Sequence, residues 1–230
     1  MRHRIHVTSL SPQITVTGDE FHHAIRVVRV RVGEEVEVFD RDGNAARATI
    51  ESLERDQATL LLGEPLPSRE SSLDVHLAIA VIQLEKFELV LQKATELGVR
   101  SLIPLVTDRI ELRRERYSGK RDRWERIIFE AVKQSGRARV PRLEEPASFD
   151  DVLKRDGAKI LFDADSEPSP IETLSDVTLL IGPEGGWSED ELRRARESAC
   201  FFQRLGPRRL RAETAAIVAT TVISFRFGDL

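Results

Sequence analysis

Two glycine-rich segments, each following a short apolar run, are the stretches of this chain best suited to hold a ligand. Gly182-Pro183-Glu184-Gly185-Gly186 follows Leu179-Leu180-Ile181, and Leu205-Gly206-Pro207 follows Cys200-Phe201-Phe202. Glycine lets a backbone bend sharply and approach a ligand closely, so both loops can offer amides and carbonyls at strand ends. Neither has the G-x-x-x-x-G-K-[ST] or G-x-G-x-x-G spacing that cradles phosphate. Glu184 would repel an anion and tolerate a neutral or cationic ligand better. Taken alone, the first segment reads equally as a ligand loop or as a tight turn.

The elements that must carry these loops are legible around them. A run as short as Leu179-Leu180-Ile181 suits a buried parallel strand. Ser188 with Glu191 three residues on is a capping box, which predicts a helix over 189–198 with Leu192 and Ala195 on its inner face. Glu213 opens an Ala- and Val-rich helix that is hydrophobic nearly all round and is therefore expected to be buried. Upstream, strands over 73–81, 101–105 and 159–162 alternate with helices over 85–97, 120–135 and 149–155. Such alternation predicts a mostly parallel α/β sheet. A Rossmann-type fold would place its glycines directly after the first strand, where this chain has Ile82-Gln83-Leu84-Glu85-Lys86.

The N-terminal part reads differently. Strands over 35–39, 45–53 and 58–62, with a hairpin turn at Asp40-Arg41-Asp42-Gly43, predict a small barrel or meander. A helix from 19 to 29 would turn Phe21, Ile25 and Val28 inward and His22, Arg26 and Arg29 outward. Residues 63–72 are rich in Pro and Ser and lack periodicity, which marks a linker.

Composition bounds the rest. With 230 residues, 40% hydrophobic and 32% charged, the chain can form one large or two small domains, and two fit the pattern better. No apolar stretch nears the roughly 18 residues needed to span a bilayer. Met1-Arg2-His3-Arg4 is not followed by the apolar core of a secretory signal, and one cysteine, Cys200, forms no internal disulfide. The expected compartment is the cytoplasm. A net charge of -4 does not suggest nucleic acid, so any such contact must be local. Between Arg109 and Arg126 eight basic residues (Arg109, Arg113, Arg114, Arg116, Lys120, Arg121, Arg123, Arg126) face four acidic ones (Glu111, Glu115, Asp122, Glu125), a pattern typical of a solvated helical face. The five histidines lack the carboxylate or thiol partners of a zinc site, and no metal is expected. No G-x-S-x-G elbow is present, and Cys200 beside two phenylalanines reads as a core thiol. Trp124, Ile127, Ile128, Ala131 and Val132 share a helix face and read as core, with Glu130, Gln134 and Arg137 as exposed polar residues at the helix end.

IGPEGGWSEDE, LGPRRLRAETA, QKATELGV (Gln92 to Val99) and EAVKQSGR (Glu130 to Arg137) occur here in one order. Together they resemble the RsmE family of ribosomal RNA methyltransferases, and FHHAIRVVRVRVGEEVEVFDRDG resembles that family's N-terminal domain. The family more usually has an aliphatic residue at Arg209, Thr at Ala212 and Phe at Trp187. The resemblance implies a PUA-like RNA-binding β-barrel domain over residues 1–70. It also implies a SPOUT-type methyltransferase domain over 73–230, whose C-terminal chain threads a trefoil knot that holds S-adenosylmethionine. It implies a homodimer acting on N3 of a uridine in small-subunit ribosomal RNA, within the assembled subunit. A non-catalytic RNA-binding protein of the small subunit is the alternative, and cofactor binding discriminates the two.

On that reading Phe162, Ile181, Gly182, Glu184, Gly185, Gly186, Leu205, Gly206, Leu210, Thr214 and Ala215 are the candidate cofactor-binding residues. Arg2, Arg4, Arg26, Arg29, Lys93 and Arg109 are candidates for RNA contact, fixing register on phosphates rather than reading bases. N3 of uracil is a weak acid between two carbonyls, so methylation needs its proton removed or the anion stabilised. Arg211 is always charged and can donate to a carbonyl oxygen where negative charge develops. Glu213 is the nearest carboxylate. It acts as base, holds Arg211, or merely favours the start of its helix.

Overall fold

Period-two alternation in the N-terminal segment builds a sheet that buries one face. Its strands are β1 (Arg4–His6), β2 (Gln13–Thr17), β3 (Glu35–Phe39), β4 (Ala45–Leu53) and β5 (Gln57–Pro65), with a short helix α1 (Gly18–His22) after β2. The computed structural model describes residues 3–24, 29–110 and 117–230. Arg2 and Arg26, the helix positions Ile25 and Val28, and Glu111, Arg113, Arg114, Glu115 and Arg116 of the basic stretch lie outside the described residues. The strand order is β1-β3-β4-β5-β2, and only the β1–β3 pair is parallel. Alternate residues Ile14 and Val16 of β2 and Ala46, Ala48 and Ile50 of β4 meet Phe21, Val36, Val38 and Leu60 in one core. The hairpin turn is held by the Asp40 carboxylate, which accepts the amides of Asp42, Gly43 and Asn44 at 2.9, 3.1 and 3.0 Å.

Residues Met1–Glu70 and Val132–Val140 form one compact unit, and Ser71–Ala131 with Pro141–Leu230 form another. In the first unit the Glu70 carboxylate accepts from Arg137 Nη2 at 2.7 Å and from the amides of Ala138 and Arg139 at 3.2 and 3.1 Å. Two expectations are corrected here. Arg137 is not an exposed helix-end residue: helix 121–135 stops before it and its side chain is 4% exposed. The two units do divide within the stretch 63–72, at Glu70–Ser71, but its start is not linker, since β5 runs to Pro65, and the Glu70 side chain is buried.

The second unit is a parallel sheet with helices between its strands. It comprises β6 (Asp74–Ala80), α2 (Leu84–Glu96), β7 (Ser101–Val106), α3 (Arg121–Ser135), β8 (Arg142–Leu143), β9 (Ala147–Ser148), α4 (Phe149–Leu153), β10 (Ala158–Phe162), β11 (Asp176–Ile181), α5 (Glu189–Glu197), β12 (Phe201–Gln203) and α6 (Ala212–Phe227). The residues of α3 from Val132 onward count with the first unit. The strand order is β12-β10-β11-β6-β7-β8, with β9 also beside β7, and every pair is parallel. Strands covered on both faces read as continuous apolar runs, and β6 and β11 are buried at every position after the first. From β6 the chain passes to β7 on one side, while β11, β10 and β12 stack on the other. Phe162 pairs with both Ile181 and Gln203, so three strands end together. Ligands of open α/β sheets sit at such carboxyl ends.

The final helix departs from expectation. Ala212, Ala216, Ala219, Thr220, Ile223 and Ser224 are buried where α6 packs on α2, β6 and β11, but Val222 and Phe225 are 45% and 75% exposed. The apolar residues that make it hydrophobic all round lie partly outside the core of this chain. Among the described residues no helix is long and apolar enough to cross a membrane.

Candidate functional site

The first glycine loop is shaped by the tryptophan that follows it. Trp187 is buried against Phe149, with ring centroids 5.2 Å apart, and its indole Nε1 donates to the Phe162 carbonyl at 3.0 Å. A Cβ on Gly182 would stand 3.0 Å from the indole, so only glycine lets β11 turn this close to the ring. The amide of Gly186, at φ +67°, then closes the turn onto the Pro183 carbonyl at 2.9 Å.

Helix α5 anchors the far end of that loop through the capping box. Ser188 Oγ accepts the Glu191 amide at 3.1 Å, and Glu191 Oε2 accepts the Ser188 amide at 2.8 Å. The fully buried Glu191 also reaches the loop after β7, where its Oε1 accepts the Asp108 amide at 3.0 Å. Next to that contact Arg109 Nη1 donates to the Gly185 carbonyl at 2.9 Å, and Lys86 Nζ donates to Glu184 at 3.1 Å. Glu184 is therefore paired, and its charge is partly offset at the loop.

The second loop leaves β12 and turns at Gly206, which has φ +86°. A Cβ on Gly206 or on Gly186 would meet nothing within 4 Å, so both loops present bare backbone to open space. Between them lies a cleft of about 320 Å³, within the range of small-molecule sites. Phe162, Ile181, Gly182, Glu184, Gly185, Gly186, Leu205, Gly206, Leu210 and Ala215 line it, whereas Thr214 does not and is exposed. Asp163, Asp165, Trp187, Arg204, Arg208 and Arg209 also line it, and sequence reasoning did not select them. Only the end of a third strand at Phe162 hinted at the two aspartates, because nothing local says which strand lies beside β11.

Arg211 is the exposed N-cap of α6, and Glu213 is half-buried in its first turn. Neither lines the cleft, although Ala212 between them and Ala215 beyond do. Glu213 Oε2 is buried and accepts no hydrogen bond among the described residues. Burial pushes the Cys200 thiol up to about 11, which leaves it protonated and inert at neutral pH.

Of the described RNA-contact candidates, Arg4 and Arg29 belong to the first unit and Lys93 and Arg109 to the second. Arg4 is corrected outright. Its side chain is 9% exposed, pairs with Glu37 at 3.0 Å, stacks over Phe39 and donates to the Val132 carbonyl, all inside the first unit. An N-terminal arginine with a strand-borne carboxylate opposite it is drawn inward to neutralise that charge. Arg29 is exposed, Lys93 is paired with Glu96, and Arg109 stands at the cleft. Arg2 and Arg26 lie outside the described residues.

Residues 69–224 match the family described as RNA methyltransferase domain, and residues 16–62 match RNA methyltransferase PUA domain. The chain is 32% identical to the ribosomal RNA small subunit methyltransferase E of Bacillus subtilis, over 94% of this chain and 91% of that one. It is 30% identical to the protein of the same name from Rickettsia conorii, over 94% and 92%. Its fold superposes on the Neisseria gonorrhoeae ribosomal RNA small subunit methyltransferase E bound to S-adenosyl methionine with a TM-score of 0.90, 28% identity and full coverage of both chains.

Proposed function

Because the chain belongs to the RNA methyltransferase family that includes the ribosomal RNA small subunit methyltransferase E proteins, we propose that it transfers a methyl group from S-adenosylmethionine to N3 of a uridine in small-subunit ribosomal RNA. The observation that carries this reading is the cleft where β10, β11 and β12 end together, walled by two loops with bare glycine backbone. Phe162, Ile181, Leu205 and Leu210 supply apolar surface for an adenine ring, and the backbone of 182–186 and 205–210 supplies donors and acceptors for its edge and for the amino-acid end. Of the carboxylates at the cleft, Asp165 pairs with Arg209 and Glu184 with Lys86, and the glycine loops lack the spacing that cradles the phosphates of a nucleoside triphosphate.

S-adenosylmethionine supplies an electrophilic methyl group carried on a sulfonium. The protein's own residues prepare the acceptor. Arg211, at the start of α6 just beyond the cleft, donates to a uracil carbonyl oxygen on which charge grows as N3 loses its proton. Glu213, half-buried in the first turn of α6 and the carboxylate nearest Arg211 along the chain, takes that proton. Arg29 and Arg109 contact phosphate. Val222 and Phe225 on the outer face of α6 fit a second copy of the chain, which would cover apolar surface left open here.

The test is methyl transfer to purified small subunits, with calorimetry for the cofactor. A methyl on N3 removes the imino donor of the pairing edge, so reverse transcription should stop at one modified uridine. RNA binding without S-adenosylmethionine binding would instead favour a binding role and remove the enzymatic reading.

A further inference from the structure

The loop between β12 and α6 carries a charge pattern that cofactor binding does not use. Arg204, Arg208, Arg209 and Arg211 fall in the stretch Arg204 to Arg211 with no acidic residue among them, in a chain whose net charge is -4. All four are exposed, and Arg204, Arg208 and Arg209 line the cleft. Arg209 pairs with Asp165 at 2.8 Å, and among the described residues Arg204 and Arg208 have no ion-pair partner. Gly206 and Pro207 fix the bend between them, so the two free guanidinium groups stand on one loop beside the bare backbone of the cleft. Three of the four arginines that line the cleft come from this loop, and the fourth, Arg109, is engaged with the Gly185 carbonyl.

We propose that Arg204 and Arg208 hold backbone phosphates of the RNA that flank the target nucleotide, and so position its base at the cleft. This rests on the reading of the protein as an RNA methyltransferase and adds where the substrate strand runs. A guanidinium matches a phosphate with two parallel hydrogen bonds, so two arginines on a fixed bend set the register of a strand without reading sequence. Single-stranded RNA fits best, because its backbone can follow a short loop and present one base inward.

The experiment measures binding of small-subunit ribosomal RNA against salt, between about 50 and 200 mM, for four forms of the full chain. Arg204→Ala with Arg208→Ala should flatten the log–log salt slope by about 1.4, at roughly 0.7 per phosphate contact on a single strand. Cofactor affinity by calorimetry should change far less. Arg204→Lys with Arg208→Lys keeps the charge and should restore the slope. Arg100→Ala removes one charge at the opposite, amino end of β7 and should leave the slope unchanged. An unchanged slope in the double alanine variant, or an equal loss in Arg100→Ala, overturns the proposal while the methyltransferase reading stands. Wild-type protein that neither binds nor methylates the RNA overturns both.

Discussion

Trp187 Nε1 reaches the Phe162 carbonyl at 3.0 Å in the buried interior, and this bond joins the first glycine loop to the end of a neighbouring strand. The cleft takes its floor from that contact. Trp187→Phe keeps an aromatic ring but leaves a buried carbonyl without its donor, which should cost about 1–3 kcal/mol in urea unfolding. Gly182→Ala places a Cβ 3.0 Å from the indole and pushes it aside. S-adenosylmethionine affinity should fall at least about tenfold, equivalent to about 1.4 kcal/mol, in a variant that remains folded. Calorimetry on folded Gly182→Ala checks this, and unchanged affinity would show that the loop and ring do not shape the binding site.

Arg211→Ala should slow methyl transfer by about 10²-fold or more, the scale for losing one preorganised donor, with a much smaller change in cofactor affinity. Single-turnover rates on small subunits measure it. Near-normal rates would take Arg211 off the catalytic path. Glu213→Gln should then be followed across pH, where loss of a general base removes the acid limb of the rate profile.

Acid stability should depend on Glu70. Burial by itself pushes its carboxyl up, but hydrogen bonds and charge from Arg137, with the amides of Arg139 and Ala138, outweigh this and hold it below the ordinary 4.5. A carboxylate lowered in the folded state adds stability above its unfolded value, and that stability is lost as pH falls through the folded value. Glu70→Gln leaves the buried Arg137 without its anion and should destabilise the protein by about 3 kcal/mol at neutral pH. The gap to wild type should narrow as pH falls below the ordinary carboxylate value of 4.5 and through the lower folded value. Urea midpoints from pH 7 to pH 3 test it, and a pH-independent gap would assign the loss to packing alone.

Phe225, 75% exposed on α6, should be covered by a second copy in solution. Sedimentation of the wild-type chain should report two copies, and Phe225→Asp should shift it to one, because a charge in an apolar interface has no partner. A monomeric wild type would leave the outer face of α6 without that occupant.

Much of this protein was legible from local spacing. The capping box of Ser188 and Glu191, the glycine loops after apolar runs, and the parallel strands buried on both faces all follow from interactions within a few residues or from burial that any neighbour provides. Ten of the cleft-lining residues could be chosen on that basis and on family resemblance. Tertiary structure alone decided which strands are neighbours: Ile160 pairs with both Leu179 and Phe201, and this brings the two loops onto one cleft with Asp163 and Asp165 between them. It decided that Glu191, besides capping its helix, reaches Asp108 of the loop after β7. It also turned Arg4 inward to Glu37 and joined Val132–Val140 to the N-terminal unit. The physical reason is the same in each case. A charge or a strand edge far along the chain is chosen by the burial of the whole molecule, and the spacing of residues around it carries no record of that partner.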